Sequence, residues 1–142
     1  MKLSKSTELA LHGLYQLAVS RPRQLLVSEM AGAQNVSTSY LAKVFQKLAR
    51  RGLVNSTRGK RGGFTLARGP DEISVADVIR AVEADEPLFD CLADVRKCKA
   101  RPGCLLRARF KQAEQSMLGT LAETSIGDLL ASSNGERDAW LV

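Results

Sequence analysis

The chain has 142 residues, 44% of them apolar and 25% charged, and a formal net charge of +6. That length suits one domain, or a small domain with an appendage, and the composition excludes both a disordered tail and a membrane protein. No apolar run approaches the ~18 residues a membrane helix needs, and the N-terminus lacks a signal peptide's apolar stretch and cleavage site, so a cytoplasmic protein is expected.

The first helix is predicted over residues 3–19, where Leu9, Leu11, Leu14, Tyr15, Leu17 and Ala18 form a broad apolar face. Arg21 and Pro22 close it. Ser28 is read as the N-cap of a short helix over 29–33. Gln34, Asn35 and Val36 make a tight turn. Ser37 then caps a longer helix over 38–51, with Leu41, Val44, Phe45 and Leu48 facing inward. Gly52 suits a left-handed C-terminal cap, which needs no side chain there. A strand over 53–57, a glycine-rich basic loop over 58–63 and a returning strand over 64–67 form a hairpin ended by Gly69 and Pro70.

Ser74 caps a helix over 75–82, with Val75, Val78, Ile79 and Val82 on one side. Residues 86–103 show no periodicity, contain Pro87 and Pro102, and are predicted as a loop. A last long helix runs from 104 to about 121. Thr124, Ser125 and Asp128 then form a cap for a short helix ending near 130. The predicted fold is mainly α with a small β-hairpin wing. The order helix, helix, turn, helix, hairpin is that of a winged helix-turn-helix.

Charge along this framework is segregated. Residues 30–70 contain no Asp or Glu but carry Lys43, Lys47, Arg50, Arg51, Arg58, Lys60, Arg61 and Arg68, whereas the following stretch is acidic. Such segregation builds a local positive field that suits double-stranded DNA. Helix 38–51 would lie in the major groove. Thr38, Ser39 and Tyr40 offer hydrogen-bonding groups at its N-terminal end, and Lys43, Gln46 and Lys47 follow one turn on. Gln reads adenine bidentately; Lys reaches guanine or phosphate. Arg50 suits phosphate, and the wing cations Arg58, Lys60 and Arg61 suit phosphate or the minor groove. Any one such cation on a helix face is ordinarily just solvated; the constellation carries the inference.

The three cysteines, Cys91, Cys98 and Cys104, fall in one short segment, and an odd number argues against a disulfide framework. Their spacing is not the tight pair of most structural zinc sites. Three soft ligands among Arg96, Lys97, Lys99 and Arg101 suit an iron–sulfur cluster, which takes a fourth ligand; three free thiols, or zinc with one other ligand, are the alternatives. The lone His12 lies among apolar neighbours and reads as structural; Glu8, one turn earlier, is the other choice. No base–nucleophile pair, phosphate loop or paired catalytic carboxylates is found, so an enzyme is not expected.

Taken together, the runs 3–11, 36–41, 58–64 and 73–79 and the three late cysteines resemble the Rrf2 family over about residues 1–131. The resemblance implies a dimeric winged-helix regulator of a DNA operator. The IscR and NsrR branches carry iron–sulfur clusters, and the RirA branch responds to iron. Cys91, Cys98 and Cys104 fall on the family's cluster cysteines. Arg107 stands where the IscR branch has a ligating histidine, whereas Glu8 stands where the NsrR branch uses an acidic residue from the other subunit. A four-iron cluster is thereby favoured over a two-iron one. The spacing of the first two cysteines is one residue longer than the commonest in either branch, and Ala42 replaces a glutamate of the IscR branch.

The resemblance also makes the helix after Cys104 the dimer interface. The implied organisation is a DNA-binding domain over 1–84, a cluster loop over 85–104, a dimerisation helix and short return helix over 105–131, and a tail over 132–142. The implied function is a repressor sensing nitric oxide, iron or redox state. A metal-free thiol sensor and a protein-interaction module that keeps the fold are the rivals.

Overall fold

Periodicity alone explains the first helix, α1 (Lys5–Ser20), in the computed structural model, which describes residues 3–59, 62–84, 86–87, 89–94, 96 and 103–134. Leu9, Ala10, Leu14 and Leu17 share its buried face. Helix α2 (Val27–Ala33) starts before the expected cap. Ser28 does not cap it; instead the Glu29 carboxylate accepts the Leu26 N–H at 2.7 Å, satisfying one of the orphan donors at the helix start. Asn35 turns the chain with a φ of +52°.

Helix α3 (Thr38–Arg50) is capped as the sequence predicts: Ser37 Oγ accepts the Tyr40 N–H at 3.2 Å. Leu41, Val44, Phe45 and Leu48 are all buried. Gly52 ends it with a φ of +68°, the left-handed conformation expected there.

The wing is one antiparallel pair, β1 (Val54–Thr57) and β2 (Gly63–Leu66), with Val54 opposite Leu66 and Thr57 opposite Gly63. Near its loop end, β2 is fastened to the α1–α2 connection. Leu25 N–H donates to the Phe64 carbonyl at 3.1 Å, and Phe64 N–H donates to the Leu25 carbonyl at 2.7 Å. This close approach explains Gly63: a Cβ there would lie 2.6 Å from the Leu25 carbonyl oxygen.

After a 3-10 turn (Pro70–Glu72) comes α4 (Val75–Val82). Ser74 and Asp77 cap it reciprocally, each side chain accepting the other's N–H at 3.1 Å. The aperiodic segment that follows is not wholly a loop. It contains a single helical turn, α5 (Asp90–Ala93), preceded by Phe89, whose ring stacks on Phe110 at 4.4 Å. Phe110 belongs to α6 (Leu105–Ala122), which lies against α4 and α5 with none of its residues buried.

The last helix, α7 (Ile126–Ser132), packs on α1 and the 3-10 turn. Ile126 is 0% exposed and joins the core of Leu9, Leu14, Phe45 and Val78. Its N–H donates to the Ile73 carbonyl and the Val75 N–H to the Thr124 carbonyl, both at 2.9 Å. The hydroxyls of Tyr15 and Ser133 pair beside it. The return helix thus completes the core of the winged-helix half. No helix among the described residues is long and apolar enough to cross a membrane.

Candidate nucleic-acid interface and cysteine segment

The burial of one face of α3 leaves Thr38, Ser39, Tyr40, Lys43, Gln46, Lys47 and Arg50 exposed. These are the side chains the sequence assigns to DNA, and no acidic residue sits in the first turn of α3. The positive end of the helix dipole is therefore not offset by a carboxylate of that turn. Arg58 is exposed where the wing leaves β1. Lys60 and Arg61 lie outside the described residues.

Two of the exposed α3 side chains are also engaged within the fold. The Tyr40 hydroxyl pairs with Ser6 Oγ of α1 at 2.8 Å. Lys47 Nζ donates to the Val82 carbonyl at the end of α4, at 2.9 Å. Beside it sits Glu83, a residue that the sequence reading did not single out. Its Oε1 accepts from the Ser4 N–H at 3.0 Å, from the Ser4 hydroxyl at 2.6 Å and from the buried Thr7 hydroxyl. The start of α1 is thereby bound to the end of α4. No local signal marks Glu83, because its partners are 76 and 79 residues away.

Partial burial pushes the Glu83 carboxyl pKa up, but the Ser4 and Thr7 hydrogen bonds, with the Lys47 charge, outweigh it and hold the group below its ordinary value. A depressed carboxylate pKa contributes stability that is present above the unfolded value of 4.5 and is lost as pH falls through the folded value. Glu83→Gln is therefore expected to lower the melting temperature at neutral pH and to flatten its acid-side fall below about pH 4.5. Melting curves for the variant that run parallel to wild type at every pH would contradict this.

In the cysteine segment, Cys91 lies on α5 and Cys104 immediately precedes α6; both are half-buried free thiols. Cys98 lies outside the described residues. Stacking of Phe89 on Phe110 fixes the first cysteine's turn to the helix that the third one opens. Two thiols at such a junction are soft donors of the kind an iron–sulfur cluster takes. Glu8 is exposed on α1 and paired with Lys5 at 2.6 Å. Among the described residues of one chain, no three His, Cys, Asp or Glu side chains are grouped to hold a metal ion, so Glu8 does not meet Cys91 and Cys104 there. His12 is half-buried; burial pushes its pKa down, opposed by Glu8 and reinforced by Lys5, so it stays neutral at pH 7.

Residues 3–132 match the Rrf2 family, described as an iron-dependent transcriptional regulator. Over 137 residues the chain is 33% identical to the HTH-type transcriptional repressor NsrR of Streptomyces coelicolor, covering 95% of this chain and 92% of that protein. CymR, the global cysteine regulator of B. subtilis, superposes with a TM-score of 0.74 at 26% identity, covering 93% of this chain and 98% of that one. IscR of T. potens superposes with a TM-score of 0.72 at 25% identity, covering 93% and 88%.

Proposed function

Because this chain belongs to the Rrf2 family of transcriptional regulators, which are not enzymes, we propose that it is a homodimeric repressor whose grip on a DNA operator depends on an iron–sulfur cluster. The observation that carries the DNA part is the acid-free, exposed face of α3 beside the wing. Ser39, Lys43 and Gln46 would meet base edges, and Thr38, Arg50, Arg58, Lys60 and Arg61 would meet phosphates.

The dimer is supported by α6. Eighteen residues of helix bury none of their side chains in one chain, and Leu105 and Leu106 are 68% and 60% exposed. A helix so uncovered gains most by packing on its copy, and a two-fold dimer would match a palindromic operator.

Cys91, Cys98 and Cys104 would hold the cluster, with Glu8 from a second copy completing it. The similarity to NsrR supports this reading. When bound, a cluster supplies a centre that reacts with nitric oxide or oxidants. The chain supplies the rest: α5 is stacked on α6, α6 abuts α4, and the end of α4 is bonded to both α1 and α3. A rearrangement of segment 91–104 therefore starts next to the elements that aim the reading helix.

Protein purified without oxygen is expected to be coloured, to contain iron and sulfide, and to bind DNA differently after a nitric oxide donor; Cys98→Ala should lose all three behaviours. The similarity to CymR, named a cysteine regulator, together with the free thiols of Cys91 and Cys104, favours metal-free thiol sensing as a second reading. Colourless, iron-free protein whose DNA binding responds to thiol oxidants and recovers with reductant would replace the first reading by the second.

A further inference from the structure

Lys47 stands among the α3 cations that the sequence assigns to DNA, yet its ammonium is bonded elsewhere. It donates to the carbonyl of Val82, the last residue of α4. The final carbonyls of a helix have no partner within it, and a cation there also meets the negative end of the helix dipole. One carboxylate, Glu83, lies alongside and ties the same end of α4 to α1. At the other end of α3, the Tyr40 hydroxyl is paired with Ser6 of α1. The buried Leu41, Val44, Phe45 and Leu48 fix which face of α3 looks inward. Contacts near its two ends, to α1 and to α4, fix its tilt.

We propose that Lys47 is a positioning residue: it holds the C-terminal half of α3 against α4, and so aims the base-reading residues, rather than neutralising a phosphate. Lys43, one turn earlier on the exposed side, and Arg50, in the last turn, are the α3 cations left to contact DNA directly. This inference rests on the DNA-binding reading of α3.

The two roles differ in their salt dependence. A cation that neutralises a phosphate releases a counterion, so removing it lowers the slope of log affinity against log salt by about one on any duplex. A positioning residue leaves that slope unchanged and affects only the sequence-specific part of binding. The probes are a duplex selected by the wild-type protein from a random-sequence pool and a duplex of unrelated sequence.

For Lys47→Gln, affinity for the selected duplex is expected to fall about tenfold, the order of one lost base contact. The salt slope and the affinity for the unrelated duplex should match wild type. Lys47→Arg should restore specific binding, since a guanidinium can donate to the same carbonyl. Arg50→Gln, at a cation of the same helix assigned to phosphate, is the internal standard and should lower the slope by about one on both duplexes.

A slope lowered by about one in Lys47→Gln would overturn the proposal in favour of a phosphate contact. Unchanged affinity and slope would overturn it too. So would a loss on both duplexes that follows the unfolded fraction seen by circular dichroism, which would make Lys47 merely structural; Lys47→Met, which keeps the aliphatic stem, repeats the measurement if Lys47→Gln unfolds. Failure of wild type to bind any duplex in a salt-dependent way would sink the DNA-binding reading itself, a result distinct from all of these.

Discussion

Replacing Phe45 by Ala is expected to lower the unfolding free energy by about 3–5 kcal/mol, a large share of the ~5–15 kcal/mol that holds a domain together. Phe45 is 0% exposed and lies where three elements converge. It projects from α3; its ring centroid is 4.9 Å from that of Phe64 on the wing strand, tilted by 56°. On the α1 side it meets Gly13, where an added Cβ would lie only 2.5 Å from the ring's Cζ. Gly13 has no side chain to fall into the space that Ala would leave, so the cavity cannot close cheaply. The same ring sets the spacing of reading helix and wing, and operator binding should fall with stability. Urea denaturation of wild type and variant checks this; a loss below about 1 kcal/mol would mean that the site collapses far better than its geometry suggests.

Ile126→Ala should cost about 2–5 kcal/mol, and by a different logic. The residue follows the long helix and is far in sequence from the reading head, yet it is 0% exposed within that domain's core. The effect should be independent of protein concentration, because the contacts lie inside one chain. A residue that acted only through a dimer interface would instead give melting temperatures that depend on concentration. A loss smaller than about 0.5 kcal/mol, or one confined to dilute protein, would show that α7 is not part of the fold of the reading domain.

Most of the local architecture was legible because its signals lie within a few residues of one another. Ser37, Ser74 and Ser125 each cap the helix they precede, and Gly52 takes the left-handed conformation that ends α3. Ser28 misled because the helix begins two residues earlier than expected, with Leu26 at the N-cap position and its N–H held by Glu29. Residues 86–103 misled because a four-residue turn is too short to show a period; what holds α5 is Phe89 stacking on Phe110, a contact across 21 positions.

The exposed side of α3, proposed above to face DNA, followed from periodicity, since four buried residues fix the opposite face. Which exposed residues are free to reach DNA did not follow, because Lys47 and Tyr40 find partners on α4 and α1.

The sequence by itself determined the element order, the caps, the acid-free reading helix with its wing, and the presence of three soft ligands in one segment. These rest on short-range rules: helical period, turn chemistry and charge. Only the tertiary structure decided that α7 completes the reading domain's core, that Glu83 binds the start of α1, and that Lys47 is bonded to the end of α4. An apolar face states that it must be buried but not against what, and a carboxylate or ammonium states only that it needs a partner. The choice among partners 35 to 79 residues away is made by how the helices pack.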